Sequence, residues 1–123
     1  MRDLNATVAQ LLANTLYQCG NEGASLNVNF DSPTEGYMVS VIDGPQFPNL
    51  SSVNPLDVAA FIRKHLDRTS HGQYFGVWTD DRTGIVYFDA SECLFSINTA
   101  IKFAKDNKQI AIWDVTNAKE IRV

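Results

Sequence analysis

Residues 74–89 read Tyr-Phe-Gly-Val-Trp-Thr-Asp-Asp-Arg-Thr-Gly-Ile-Val-Tyr-Phe-Asp. Two runs of aromatic and β-branched residues flank a polar cluster, Thr79 to Gly84, and this pattern constrains the fold more than any other stretch. Aromatic and β-branched side chains suit a pleated, partly buried strand. Asp and Gly supply the backbone conformations that hairpin turns need. The segment is therefore predicted to be a β-hairpin with its turn at Asp80–Gly84.

Other chemistries fit the turn poorly. A calcium loop of EF-hand type needs oxygen ligands at alternating positions and a glutamate at the twelfth. Counted from Asp81, Glu92 falls twelfth, but Ile85 stands where a ligand is required. Adjacent aspartates in a tight hairpin also point apart. Ile85 to Asp89 resembles a strand ending in a magnesium aspartate, but no phosphate-binding glycine loop accompanies it.

Strand alternation places Tyr74, Gly76 and Trp78 on one face of the hairpin and Phe75 and Val77 on the other. On the return strand, Ile85 and Tyr87 oppose Val86 and Phe88, and near the C-terminus Ile110 and Ile112 oppose Ala111 and Trp113. A sheet covered by helices on one side should be apolar inward and polar outward. These strands are apolar on both faces. If the aliphatic side chains meet helices, Tyr74, Trp78 and Trp113 fall on the open face, joined by Tyr87 or Phe88 according to register.

The rest of the chain supplies the helices. Leu4, Val8, Leu11, Leu12 and Leu16 recur at helical spacing, predicting a helix over 3–19 capped by Asp3 and ended by Gly20. Residues 26–30 alternate as a strand, 31–36 make a turn, and 37–42 return. Residues 43–53 are expected to form a loop containing Pro45 and Pro48. Asn54-Pro55 opens a second helix with Val58, Phe61, Ile62, His65 and Leu66 on its apolar stripe, broken at Ser70–Gly72. Ser96 caps a third, with Ile97, Ala100, Ile101 and Ala104 inward and Lys102, Lys105 and Lys108 on the wet side. Residues 109–113 and 119–123 form the last two strands around a turn at 115–118. Helix-strand-strand, three times over, predicts a single α+β domain. Its antiparallel sheet carries about three helices on one face. Without the first helix and strand, the order is that of a ferredoxin-like core.

Composition narrows the functional classes. With net charge −4 and a sequence pI of about 4.9, the chain lacks the basic surface that nucleic acid requires. It suits a basic partner. The first residues carry no signal-peptide pattern, and no apolar run approaches the roughly 20 residues of a membrane helix. A cytoplasmic protein with no membrane contact is expected. Cys19 and Cys93 show no metal spacing and are read as reduced thiols. His65 belongs to an apolar stripe and reads as a core histidine. No cofactor or metal is expected. A nucleophile pair of Cys93 with His65 or His71 lacks any family signature, which sets an enzyme last among the readings.

The aromatic face has two readings. It is covered by the chain itself, through Phe47 and Leu50 of the Pro-rich loop or through the first helix. Otherwise it is an interface for a partner protein, a second copy or a small ligand. Phe47, an aromatic between two prolines, is correspondingly a plug or a stiff contact residue. The candidate binding residues are Tyr74, Trp78, Tyr87, Trp113 and Phe47. The leading expectation is a small protein that acts by binding a partner through this face or the Pro-rich loop. The alternative is a binder of a nucleotide-like small molecule.

Residues 74–121, through Gly76-Val-Trp-Thr-Asp, Val86-Tyr-Phe-Asp-Ala-Ser and Gln109-Ile-Ala-Ile-Trp-Asp-Val, resemble a group of small proteins carried by actinobacteria, their phages and mobile elements. The resemblance implies an accessory role, such as binding a host factor. It implies no activity and carries over no site residues.

Overall fold

The computed structural model describes residues 4–66 and 73–123. Helix α1 (Leu4–Gln18) leads into β1 (Ala24–Leu26) and β2 (Tyr37–Phe47). A 3₁₀ turn (Leu50–Ser52) precedes α2 (Pro55–His65), then β3 (Gln73–Thr79), β4 (Val86–Leu94), α3 (Ile97–Asp106), β5 (Ala111–Asp114) and β6 (Lys119–Arg122). The strands form one six-stranded sheet in the order β1-β3-β4-β2-β5-β6, and every pairing is antiparallel. The class is α+β, as expected. Strand β4 lies between β2 and β3, the two strands joined through α2. That split arrangement is consistent with the ferredoxin-like order.

Local chemistry sets the boundaries. The Asn54 side chain accepts from the Leu56 amide, with Pro55 opening α2, and Ser96 accepts from the Thr99 amide at the start of α3. In the Asp80–Gly84 turn, Asp80 Oδ1 accepts from the Arg82 amide at 2.8 Å, and Asp80 N donates to the Ile85 carbonyl at 2.9 Å. Both aspartates thus belong to turn structure, and no group of His, Cys, Asp or Glu among the described residues is placed to hold a metal.

Four expectations need correction. Residues 26–30 are not a strand: β1 ends at Leu26 because Asn27 Oδ1 accepts from the amides of Asn29 and Asp31, folding the chain into a turn. Strand β1 then pairs with β3, not β2, so the first anticipated hairpin does not exist. The strand expected to stop at Ile42 instead continues through Phe47, absorbing Pro45 at an irregularity between Asp43 and Gln46. After α1, the left-handed residue is Gly23 (φ 80°), not Gly20, which lies tight against the Leu50 side chain. The Asp3 cap and the Ser70–Gly72 break lie outside the described residues.

The core fills the space between the helices and one sheet face. From α1 it takes Ala9, Leu12, Ala13 and Leu16, while Leu4 and Leu11 point outward. Val58 and Ile62 of α2 join them over Phe75, Val77, Val86, Phe88 and Ala90. A smaller cluster seats Ala100 and Ala104 of α3 on Val39 and Ile112. His65 is buried in the helix layer with its ring 4.9 Å from Phe61. Ile110, expected to face inward, precedes β5 and is exposed, as is Ile97 at the start of α3.

Candidate functional site

All three helices pack on the same side, which leaves the other face of the sheet open. On that face β3 presents Tyr74, Gly76 and Trp78, and β4 presents Tyr87, Asp89, Ser91 and Cys93, as the register Gly76↔Asp89 and Trp78↔Tyr87 requires. Strand β2 adds Met38, Ser40, Asp43 and Gln46, and β5 adds Trp113 opposite Met38. Together these strands floor a broad trough of about 830 Å³ that reaches from Ser25 on β1 to Arg122 on β6.

The aromatic residues stand along the trough. Trp78 and Tyr87 stack across neighbouring strands with ring centres 4.6 Å apart and planes 16° from parallel. Trp78 is 48% exposed and Trp113 46%. Tyr74 lies beyond the trough, beside the Asn27 turn. Burial raises its pKa above the usual phenol range, helped by Cys93 and Asp31 and opposed by a hydrogen bond with Asn27. Phe47 is separated from the other four. It turns to the helix side, with its ring edge-on to Phe88 at 5.9 Å. Leu50 packs on the same core. Neither the Pro-rich segment nor α1 covers the open face.

The centre of the face is polar. Asp89 lies over Gly76: a Cβ there would approach Asp89 Oδ1 to 2.5 Å, so glycine leaves the notch the carboxyl occupies. Burial pushes the Asp89 pKa up to about 6; the Ser40 and Ser91 hydroxyls restrain the rise and the Asp43 carboxylate adds to it. Ser40 Oγ is itself buried and forms no hydrogen bond of good geometry with any described residue. Asp43 sits directly across from Asp89, and directly opposed residues of this kind have Cβ atoms about 5 Å apart.

Two features hide this centre from the sequence. Residues 43–53 read as a loop, and alternation counted from Tyr37 would turn Asp43 inward. A β-bulge between Ser40 and Ile42 reverses the alternation, sending Ile42 to the core and Asp43 to the open face. Asp89 closes the run of residues 74–89, yet β4 continues to Leu94 and makes it central. Gly76, a glycine inside an apolar strand, is the one available signal of a close approach.

The cysteine-histidine pair is not assembled. Cys93 is on the open side of the sheet, where its thiol donates to the Glu35 carbonyl at 3.3 Å, and His65 is in the helix layer. Burial, with Glu35, raises the Cys93 pKa, which favours the unreactive thiol. His71 lies outside the described residues. No helix among the described residues is long and apolar enough to cross a membrane. No family model, curated protein or solved structure matches the chain.

Proposed function

We propose that the chain is a small accessory binding protein whose open sheet face docks a partner protein. The observation that carries this reading is the uncovered trough itself: three aromatic side chains stand around a carboxylate centre, and no segment among the described residues closes over them. Monomers rarely leave such a face unused, and aromatic side chains dominate interface energetics. A second copy is a poorer occupant than a different protein. A two-fold, face-to-face contact would set the acidic centre against itself, and like charges across an interface are costly. The accessory role, in a phage or mobile element, draws on the resemblance of residues 74–121.

The test is a comparison of wild type with the Trp78→Ala/Trp113→Ala double variant in sedimentation and in capture from a host lysate. Each tryptophan should contribute about 2 kcal/mol of binding, roughly thirtyfold in affinity, while the variant stays folded. A captured protein retained equally by the variant, or none captured by either, refutes the proposal.

A small-molecule ligand stacked on Trp78 and Tyr87 is the second reading. The trough volume favours it, since about 830 Å³ lies within the roughly 300–1,000 Å³ of ligand pockets. Nucleotide phosphates would meet the acidic centre unfavourably. Tryptophan quenching by a panel of uncharged and cationic aromatic compounds would separate this reading from the first.

A further inference from the structure

Charge and packing in the trough narrow the partner's chemistry. The ionisable groups lining it are Glu22, Asp43, Asp89 and Glu120 against a single cation, Arg122. That guanidinium is already held by Glu120 at 2.8 Å. The acidic centre therefore faces the cavity without a basic side chain paired to it among the described residues. Asp89 lies beside the Trp78–Tyr87 stack, two residues along β4 from Tyr87, while the Met38–Trp113 end of the trough is four residues further along; Gly76 keeps the space above its carboxyl clear. A carboxylate beside aromatic faces is what a guanidinium or ammonium group engages, through charge-assisted hydrogen bonds and cation–π contact.

Resting on the reading of this face as a protein-docking surface, we infer that the partner presents a basic segment, one Arg or Lys of which seats on Asp89 beside the Trp78–Tyr87 stack. The inference commits to a partner protein with an exposed cationic side chain. An acidic or phosphorylated segment would be repelled by the same four carboxylates. Arginine suits the site better than lysine. Its planar fork can engage the Asp89 carboxylate while its face meets the Trp78 indole.

The experiment is selection of a displayed random dodecapeptide library on the wild-type protein, with affinities of the winning peptides measured by fluorescence anisotropy. Selected peptides should be rich in Arg and Lys. Replacing those residues by Gln should weaken binding to wild type at least tenfold. Asp89→Asn should weaken the unmodified peptide at least tenfold, and Asp43→Asn, at an exposed position outside the core, about threefold. Peptides that lose affinity in Trp78→Ala, but show no basic enrichment and tolerate the Gln replacement, would overturn the inference and leave the docking face standing. No selected peptide, or binding indifferent to Trp78→Ala, would overturn the docking face and the inference together. The Gln-substituted peptide is read on the unaltered protein, so that comparison holds whether or not any variant folds.

Discussion

On one side of the β3–β4 ribbon, Phe75, Val77, Val86 and Phe88 are closed beneath α1 and α2; on the other, Trp78 and Tyr87 of the same strands stand partly in solvent. The two sides have similar aromatic content. They differ at the positions between the large side chains. The inner side has Ala90 where the outer has Asp89, Ser91 and, across on β2, Asp43. A helix laid over the outer side would have to desolvate the exposed Asp43 at a cost of several kcal/mol and seal in Asp89, whose charge burial already disfavours, with no cation paired to either among the described residues. The contrast teaches that aromatic content does not decide which face becomes core. The charges between the aromatics do.

The largest expected effect sharpens that contrast. Phe75→Ala removes a ring that is 1% exposed and should cost about 3–5 kcal/mol in chemical denaturation. Trp78→Ala, on the same strand but the other face, should cost only about 1 kcal/mol, mostly its stacking on Tyr87. Equal losses would mean that the outer aromatics are core after all.

Next in size is Asp89. Its pKa of about 6 in the folded protein exceeds the roughly 3.9 of an unfolded aspartate, so the folded state holds the proton more tightly. Well below pH 4 both states are protonated and the carboxyl carries no penalty. As pH rises from about 4 to 6, the unfolded chain ionises while the folded state still holds its proton, so stability falls; above about 6 the loss is complete. The shift comes first from the burial of Asp89 itself; Ser40 on β2 and Ser91 on β4 oppose it, Asp43 on β2 adds to it, and Gly76 and Ser25 contribute no charge. Asp89→Asn should therefore gain up to about 3 kcal/mol near pH 7.5 and almost nothing near pH 3. Denaturation at the two pH values measures it, and a variant less stable than wild type at pH 7.5 would contradict it. A residue that costs stability yet faces an open cavity fits a binding role better than a structural one.

The smallest effect tests the notch. Gly76→Ala must push the Asp89 carboxyl aside and should cost about 1–3 kcal/mol. In an Asp89→Ala background the same change should be nearly neutral. A double-mutant cycle with no coupling between the two positions would show that the close approach is relieved elsewhere.

Much of this arrangement is legible in the chain. The period-two alternation of Tyr74, Trp78 and Trp113 places all three on the open face, because a regular strand leaves its side chains no other choice; Tyr87 rather than Phe88 joins them through the register Trp78↔Tyr87, which alternation alone left open. What alternation cannot see is its own interruption. The bulge at Val41 shifts the phase, so Asp43 and Ile42 exchange faces relative to a simple count from Tyr37. Residues 26–30 depart from expectation for a different reason. Their alternation is genuine, but the Asn27 side chain offers backbone amides a nearer partner than a neighbouring strand does. For Phe47 the two flanking prolines fit a plug and a contact residue equally well, and only packing decides: its ring meets Phe88 in the core.

The strand order has a consequence for how the chain reaches this state. Among the described residues, strand β1 finds its only partner in β3, and β2 finds its partners in β4 and β5. As the polypeptide is synthesised from its N-terminus, α1, β1, β2 and α2 all exist before either early strand has anything to pair with. The long, partly apolar β2 must wait with both edges bare until β4 arrives to fill the centre of the sheet. Such nonlocal closure slows folding, and unpaired edges invite association between chains in the interval. The irregularities that break the rhythm of β2, with Pro45 withholding an amide, also make it a poor template for another chain while it waits.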